Sequence, residues 1–258
     1  MLLVMDVGNS NTVLGLYDGD ELVGDWRIVT TTYRTSDELG ILFAMLLNSI
    51  NVRPSAINGC CISSVVPQIN LALQQVCRDT FRTEPLMIGP GVKTGLVLQC
   101  DNPKEVGADR IVNSVAAIEE YGGPLIIVDF GTATNFDVVT ERGEWRGGII
   151  CPGIQLSANA LFENCAKLPR VELVPPEHAI GKNTVSNIRS GLIFGYADMV
   201  DGLVRRIKAE MEGNPKVLAT GGLANTIAKV GTSIDIVDEL LTLKGLRAIY
   251  RKNTDGTE

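Results

Sequence analysis

Val4-Met5-Asp6-Val7-Gly8-Asn9-Ser10-Asn11-Thr12 and Val128-Asp129-Phe130-Gly131-Thr132-Ala133-Thr134 are the two stretches whose reading decides the fold. Each is an apolar run that ends in Asp-x-Gly, passes through small hydroxyl or amide residues and returns to an alternating apolar run. That is the pattern of a strand, a tight turn and an antiparallel strand. The chain contains it twice, about half its length apart. Glycine lets backbone N–H groups approach an anion closely. Hydroxyls and amides add donors, and the carboxylate can hold a hydrated cation on a phosphate. A single copy reads equally as a hairpin whose aspartate caps its own backbone. The pair, with Thr12 and Thr132 placed alike, points to a duplicated fold that grips one nucleotide from both sides.

The flanking sequence supports the duplication. Residues 2–7, 12–17 and 21–29 read as three antiparallel strands, with Asp18-Gly19-Asp20 as a turn. Thr35 and Glu38 have the spacing of a capping box. Leu39, Leu42, Phe43, Leu46, Leu47 and Ile50 then follow on one helical face. A strand is expected over 57–63, a helix over 69–77 and a short strand over 84–88. The Gly- and Pro-rich segment 89–110 reads as irregular, and a helix begins at Ile111 and stops at Gly122-Gly123. Strands at 125–128, 135–140 and 145–150 repeat the first triplet. A long helix carries Leu192, Ile193, Tyr196, Met199, Val200, Leu203 and Ile207. A buried strand at 217–220 stops at Gly221-Gly222, and Leu240, Leu241, Leu243, Leu246 and Ile249 mark the last helix, with a frayed tail from Arg251. The order βββαβαβα, written twice, predicts two α/β domains, 1–115 and 116–258, with a nucleotide cleft between them.

Composition narrows the function. The 258 residues are 45% apolar and 21% charged, as in a soluble globular protein, and the net charge is −7. An acidic chain lacks the basic footprint of a nucleic-acid binder, so no nucleic-acid partner is expected. Six cysteines without a Cys-x-x-Cys pair, and a single histidine, His178, disfavour zinc and Ser-His or Cys-His catalysis. They read as reduced thiols of a cytoplasmic protein. No signal peptide or membrane span is expected, because 1–5 runs straight into Asp6 and the apolar run 41–47 is too short to span.

Other nucleotide motifs are missing. Gly181-Lys182 has no upstream glycine and is followed by Asn183, so it is not a P-loop, and no G-x-G-x-x-G follows a strand. Gly221-Gly222 fits either a flat platform for adenine or an ordinary strand-to-helix turn. Gly107-Ala108-Asp109-Arg110 stands just before a helix. One reading is a helix cap with a solvated neighbour. The other gives Asp109 the proton of a substrate hydroxyl and Arg110 an anion. Aspartate is too weak a base to ionise an alcohol in advance, but phosphoryl transfer lets the proton leave late. His178 reads as structural or surface, and Arg205-Arg206-Ile207-Lys208 as a solvated helix face.

Taken together the motifs resemble the type III pantothenate kinases, within the group of actin-, Hsp70- and sugar-kinase-like folds. The resemblance runs from D-V-G-N-S-N-T at 6–12 through D-N-P-K-E-V-G-A-D-R at 101–110 and D-F-G-T-A-T at 129–134. It continues through G-G-I-I-C-P-G at 147–153 and G-K-N-T at 181–184 to T-G-G at 220–222. The D-N-P-x-E-V-G-A-D-R stretch is specific to that family.

The resemblance implies a duplicated actin-like, ribonuclease H-like α/β fold and transfer of the ATP γ-phosphate to pantothenate, the first step toward coenzyme A. It implies Asp109 as the proton acceptor. Gly107, Ala108, Asp109, Arg110, Thr184 and position 100 would contact pantothenate. Asp6, Val7, Gly8, Asn9, Ser10, Asn11, Thr12, Val13 and Thr132 would contact ATP, joined by Gly221 and Gly222 on the adenine reading. Asp129 would hold a monovalent cation, K⁺ or NH₄⁺, and Asp6 an Mg²⁺ ion. A homodimer is the usual state. Two positions depart from the family. Cys100 stands where a tyrosine is common, offering neither ring nor phenol, and Asn135 where threonine is frequent. A related kinase or phosphatase with another substrate, and a nucleotide-responsive regulatory accessory protein, are the alternatives.

Overall fold

The computed structural model describes residues 1–254. The elements are β1 (Leu2–Val7), β2 (Asn11–Asp18), β3 (Glu21–Val29), α1 (Ser36–Asn48), β4 (Gly59–Ser64), α2 (Pro67–Thr80), β5 (Leu86–Met87), β6 (Val97–Leu98) and α3 (Ala108–Tyr121). They continue with β7 (Leu125–Phe130), β8 (Ala133–Val139), β9 (Glu144–Pro152), α4 (Ile154–Asn164), α5 (Thr184–Glu210), β10 (Lys216–Gly221), α6 (Ala224–Ala228), β11 (Ile236–Val237) and α7 (Leu241–Thr254). The chain forms two compact units. Among the described residues the first holds 1–95, 104–116 and 242–254; the second holds 96–103 and 117–241.

In the first unit the sheet order is β3-β2-β1-β4-β5. β1 is antiparallel to β2 and parallel to β4, with Val4 opposite Gly15 and Cys61. Side chains alternate across a strand, so β1 has two faces. Leu3, Met5 and Val7 enter a core with Leu39, Phe43 and Leu47 of α1 and Ile69, Leu73 and Val76 of α2. The Val4 and Asp6 face is served by α7. A Cβ on Gly15 would meet Leu243 and Val4, and one on Gly59 would meet the Tyr250 ring. Glycine in a strand marks such close approaches. The capping box at the start of α1 is present: Glu38 N–H donates to Thr35 Oγ1 at 3.3 Å, and Thr35 N–H donates to the Glu38 carboxylate at 2.8 Å.

The second unit repeats the plan. Its sheet order is β11-β10-β7-β8-β9-β6. Taken from β9 toward β11, it matches the first sheet strand for strand, with β6 added at one edge. Ile126, Val128 and Phe130 pack with Ile193, Ala197, Val200 and Val204 of α5 and Ile227 of α6. Buried Asp137 accepts the indole N–H of buried Trp145 at 2.8 Å.

The structure corrects several sequence expectations. α3 starts at Ala108 rather than Ile111, because its first turn is polar and adds nothing to the apolar stripe. α4 has no counterpart among the expected elements: only Ile154 is buried, so the helix has no stripe to read. The same holds for five-residue α6 and for two-residue β6 and β11, which exist through pairing with β9 and β10. The strand expected over 84–88 shrinks to Leu86–Met87. The tail from Arg251 stays helical through Thr254, where Arg251 pairs with Asp20 and Asn253 bonds the Lys93 backbone. Residues 255–258 of that tail lie outside the described residues. Residues 242–254 group with the first unit, where Leu243 and Tyr250 pack on its sheet. His178 and Arg205-Arg206 are exposed as expected. Among the described residues no helix is long and apolar enough to cross a membrane.

Candidate active site

Asp6 stands at the end of β1, opposite Val13 of β2 and Ser63 of β4. The turn after it is closed by Gly8 N–H donating to Asn11 O at 3.0 Å. A second tie fixes its tip, with Thr30 N–H donating to Ser10 O at 3.1 Å. Below the tip, the Thr12 and Thr30 hydroxyls share a hydrogen bond of 2.9 Å. Thr12 is thus a buried brace of the loop, while Asn9 and Ser10 are exposed at its tip. Ser63, level with Asp6, is fully buried, and its hydroxyl has no partner.

Asp129 occupies the matching place on β7, opposite Asn135 of β8 and Thr220 of β10. Gly131 N–H donates to Ala133 O at 3.0 Å, and Gly153 N–H donates to Thr132 O at 3.1 Å. This loop is tighter by one residue, since Asp6 pairs with Val13 but Asp129 with Asn135. The shorter turn changes the correspondence. Thr134, opposite Phe130 and fully buried, matches Thr12, which is opposite Val7. Thr132 matches Ser10 at the exposed tip, so Thr12 and Thr132 are not placed alike. Gly221 has φ +91, and a Cβ there would come 2.7 Å from Asp129 Oδ1. Glycine is therefore needed twice over: for the left-handed backbone and for the carboxylate lying against it. Gly222 follows it, exposed, before α6.

Asp109 lies in the first turn of α3. Its carboxylate accepts the Arg110 backbone N–H at 2.9 Å. A Cβ on Gly107 would collide with that carboxylate, so Gly107 leaves the space Asp109 fills. Burial pushes the Asp109 pKa up; the Arg110 N–H and guanidinium pull it down but do not cancel the effect. The result is a carboxylate more basic than usual that retains some exposed surface.

The first unit thus holds residues 6–13 and 107–110. The second holds Asp129, Thr132, Gly221, Gly222, Cys100 and Thr184. Cys100 is a half-buried free thiol beyond β6, and Thr184 is exposed at the first position of α5, after the Asn183 cap. Sequence reasoning misses Ser63, Thr134 and Thr220. For Ser63 and Thr220 the signal is a hydroxyl near the C-terminal end of a strand parallel to the Asp strand, the edge where parallel sheets place ligands, whereas Thr134 stands at the start of antiparallel β8. Asn135 Oδ1 is buried without a partner in the register position facing Asp129. Asn135 and Thr220, the register neighbours of Asp129 on its two sides, both carry side-chain oxygen, the ligand type a hard cation takes.

A family model described as type III pantothenate kinase matches residues 2–206. The type III pantothenate kinase of Geobacillus kaustophilus is 54% identical over 255 residues, covering 99% of this chain and 99% of its own. Among solved structures, component A of (R)-2-hydroxyglutaryl-CoA dehydratase from Acidaminococcus fermentans is similar with a TM-score of 0.57 at 15% identity, covering 96% of each chain. The ROK hexokinase of Thermus thermophilus is similar with a TM-score of 0.51 at 13% identity, covering 99% of each. At such identities the likeness is one of fold, and it agrees with the duplicated actin-like class.

The raised Asp109 pKa carries a stability prediction. Above its folded pKa the native state bears the full cost of a desolvated charge. That cost fades as pH falls through the folded pKa toward the unfolded value. Asp109→Asn therefore raises the unfolding midpoint at neutral pH, and the gain shrinks in acid. Thermal unfolding of both proteins across pH checks this; a variant less stable at neutral pH contradicts it.

Proposed function

The chain belongs to the type III pantothenate kinase family, and from that premise we propose that it transfers the γ-phosphoryl group of ATP to the primary hydroxyl of pantothenate, giving 4'-phosphopantothenate and ADP. The observation that carries the chemistry is Asp109, with its raised pKa and Arg110 beside it at the start of α3. The pantothenate hydroxyl oxygen forms the new bond to the γ-phosphorus. The bond from that phosphorus to the β,γ-bridging oxygen breaks, and ADP leaves with its electrons. Asp109 orients the hydroxyl and takes its proton late in the step. Arg110 binds the pantothenate carboxylate, with Gly107, Ala108 and Thr184 as further contacts.

Residues 6–13 and Thr132 bind the ATP phosphates through loop N–H groups and hydroxyls. Gly221 and Gly222 lie against the adenine. Asp6 would hold Mg²⁺ and Asp129 a monovalent cation, K⁺ or NH₄⁺, with Asn135 Oδ1 as a second oxygen. These ions would neutralise charge that an acidic chain does not offset by itself. Cys100 brings no phenol, so pantothenate is held with one polar contact fewer at that position. The enzyme works as a cytoplasmic homodimer, without nucleic acid or membrane. Free thiols at all six cysteines fit a reducing compartment. Exposed Ile150, Leu156 and Phe162 on β9 and α4 supply apolar surface for a second copy.

ADP release from Mg-ATP, with and without pantothenate, tests this reading. Turnover should require pantothenate and should be faster in K⁺ or NH₄⁺ than in Na⁺. Asp109→Asn should keep ATP binding and lose about 10²- to 10⁴-fold in kcat, the range for a general base. Asp129→Asn should weaken activation by K⁺ or NH₄⁺, and an unchanged cation titration would remove Asp129 from that role. ATP binding without pantothenate-dependent turnover would favour the regulatory alternative.

A further inference from the structure

Within the first unit, α7 touches both the hairpin that carries Asp6 and the helix that carries Asp109. Leu243 lies against Gly15 of β2. Arg247 and Arg251 pair with Asp20 in the β2–β3 turn, and the Arg247 guanidinium stacks 4.9 Å from the Tyr17 ring centre. On α3 the contact is closer still. A Cβ on Gly245 would run into the Val112 carbonyl, with Val112 Cγ1 only 2.8 Å away. One turn earlier on α7, Thr242 Oγ1 donates to Asn113 Oδ1 at 2.6 Å, and Asn113 is buried. Val112 and Asn113 follow Asp109 by three and four residues, so α7 grips the turn of α3 directly behind it. The carbonyl facing Gly245 is backbone and cannot rotate aside, so any side chain there must move a helix.

We propose that Thr242 and Gly245 are positioning residues for phosphoryl transfer: together they fix the first turn of α3, and so the Asp109 carboxylate, relative to the β1–β2 hairpin. The inference rests on Asp109 being the proton acceptor. Its physical basis is the steep dependence of rate on placement, where a displacement of about 1 Å costs ~10²-fold. Neither residue is among those proposed to contact ATP or pantothenate. Loss of either moves the base, together with Arg110 on the same turn, and leaves the phosphate loop in place.

The test uses the full-length enzyme, with kinetics corrected for folded fraction by thermal unfolding. Thr242→Val is nearly isosteric and leaves Asn113 Oδ1 without this donor, whereas Thr242→Ser keeps the hydroxyl. Expected for Thr242→Val and Gly245→Ala is a kcat lower by ~10-fold or more with KM for ATP within about twofold of wild type, while KM for pantothenate moves with Arg110 on the same turn. Thr242→Ser should restore most of kcat. Added to Asp109→Asn, Thr242→Val should lower kcat little further, because the group it displaces is already gone. A merely structural role predicts lower unfolding temperatures with wild-type kcat per folded molecule, and that result overturns the proposal. A full additional loss in the Asp109→Asn background overturns it as well. If Asp109→Asn alone keeps wild-type turnover, the base assignment itself has failed, which separates that failure from this one.

Discussion

A carboxylate held partly out of water at the start of α3 is the constraint on which the proposed chemistry depends. Burial makes Asp109 more basic, and the same burial costs stability whenever the group is charged. The fold sustains the cost through backbone detail. Gly107 leaves the volume, the Arg110 N–H satisfies one oxygen, and α7 presses on the next turn through Gly245. Each device is small, and each acts on position as much as on energy. For a reaction in which the protein mostly orients and neutralises, position is the main thing a fold can supply.

The duplication explains how one plan yields two different loops. Both Asp-x-Gly turns sit at the end of a central strand, flanked by a hydroxyl residue on the parallel neighbour: Ser63 beside Asp6 and Thr220 beside Asp129. They differ on the other side. Val13 faces Asp6, whereas Asn135 faces Asp129 with a buried carbonyl oxygen lacking a donor. A lone carboxylate suits an ion that keeps most of its water, as Mg²⁺ does, while an added protein oxygen suits an ion held by direct ligands. The proposed division of ions between the loops is the one the family resemblance implies, and Asn135 adds to it an oxygen at a position where the family often has threonine.

Much of the fold is legible in the amino-acid sequence. Alternating strands around Asp6 and Asp129 specify two three-stranded antiparallel units, because period-two patterns with Gly turns have few other solutions. The capping box at Thr35 and Glu38 is readable because it is local. What escapes is either unpatterned or nonlocal. α4 buries one residue, and β6 and β11 owe their existence to neighbours. The contacts of α7 with Gly15, Gly59 and Val112 join residues more than a hundred positions apart, which a periodicity cannot reveal. Counting along the sequence matches Thr132 to Thr12, and a turn shorter by one residue moves the match to Thr134. In the site itself, Asp109 is legible as a candidate base from its Gly-Ala-Asp-Arg context, but the burial that raises its pKa comes from packing and leaves no mark on the local sequence.

The measurement that tests the role of Asp109 most directly is the pH dependence of kcat for pantothenate-driven ADP release at saturating substrates. The expected result is an acid limb whose apparent pKa lies above the ordinary aspartate value of about 3.9, and its disappearance in Asp109→Asn. A rate that stays flat down to that pH, or a limb that survives the substitution, would contradict it.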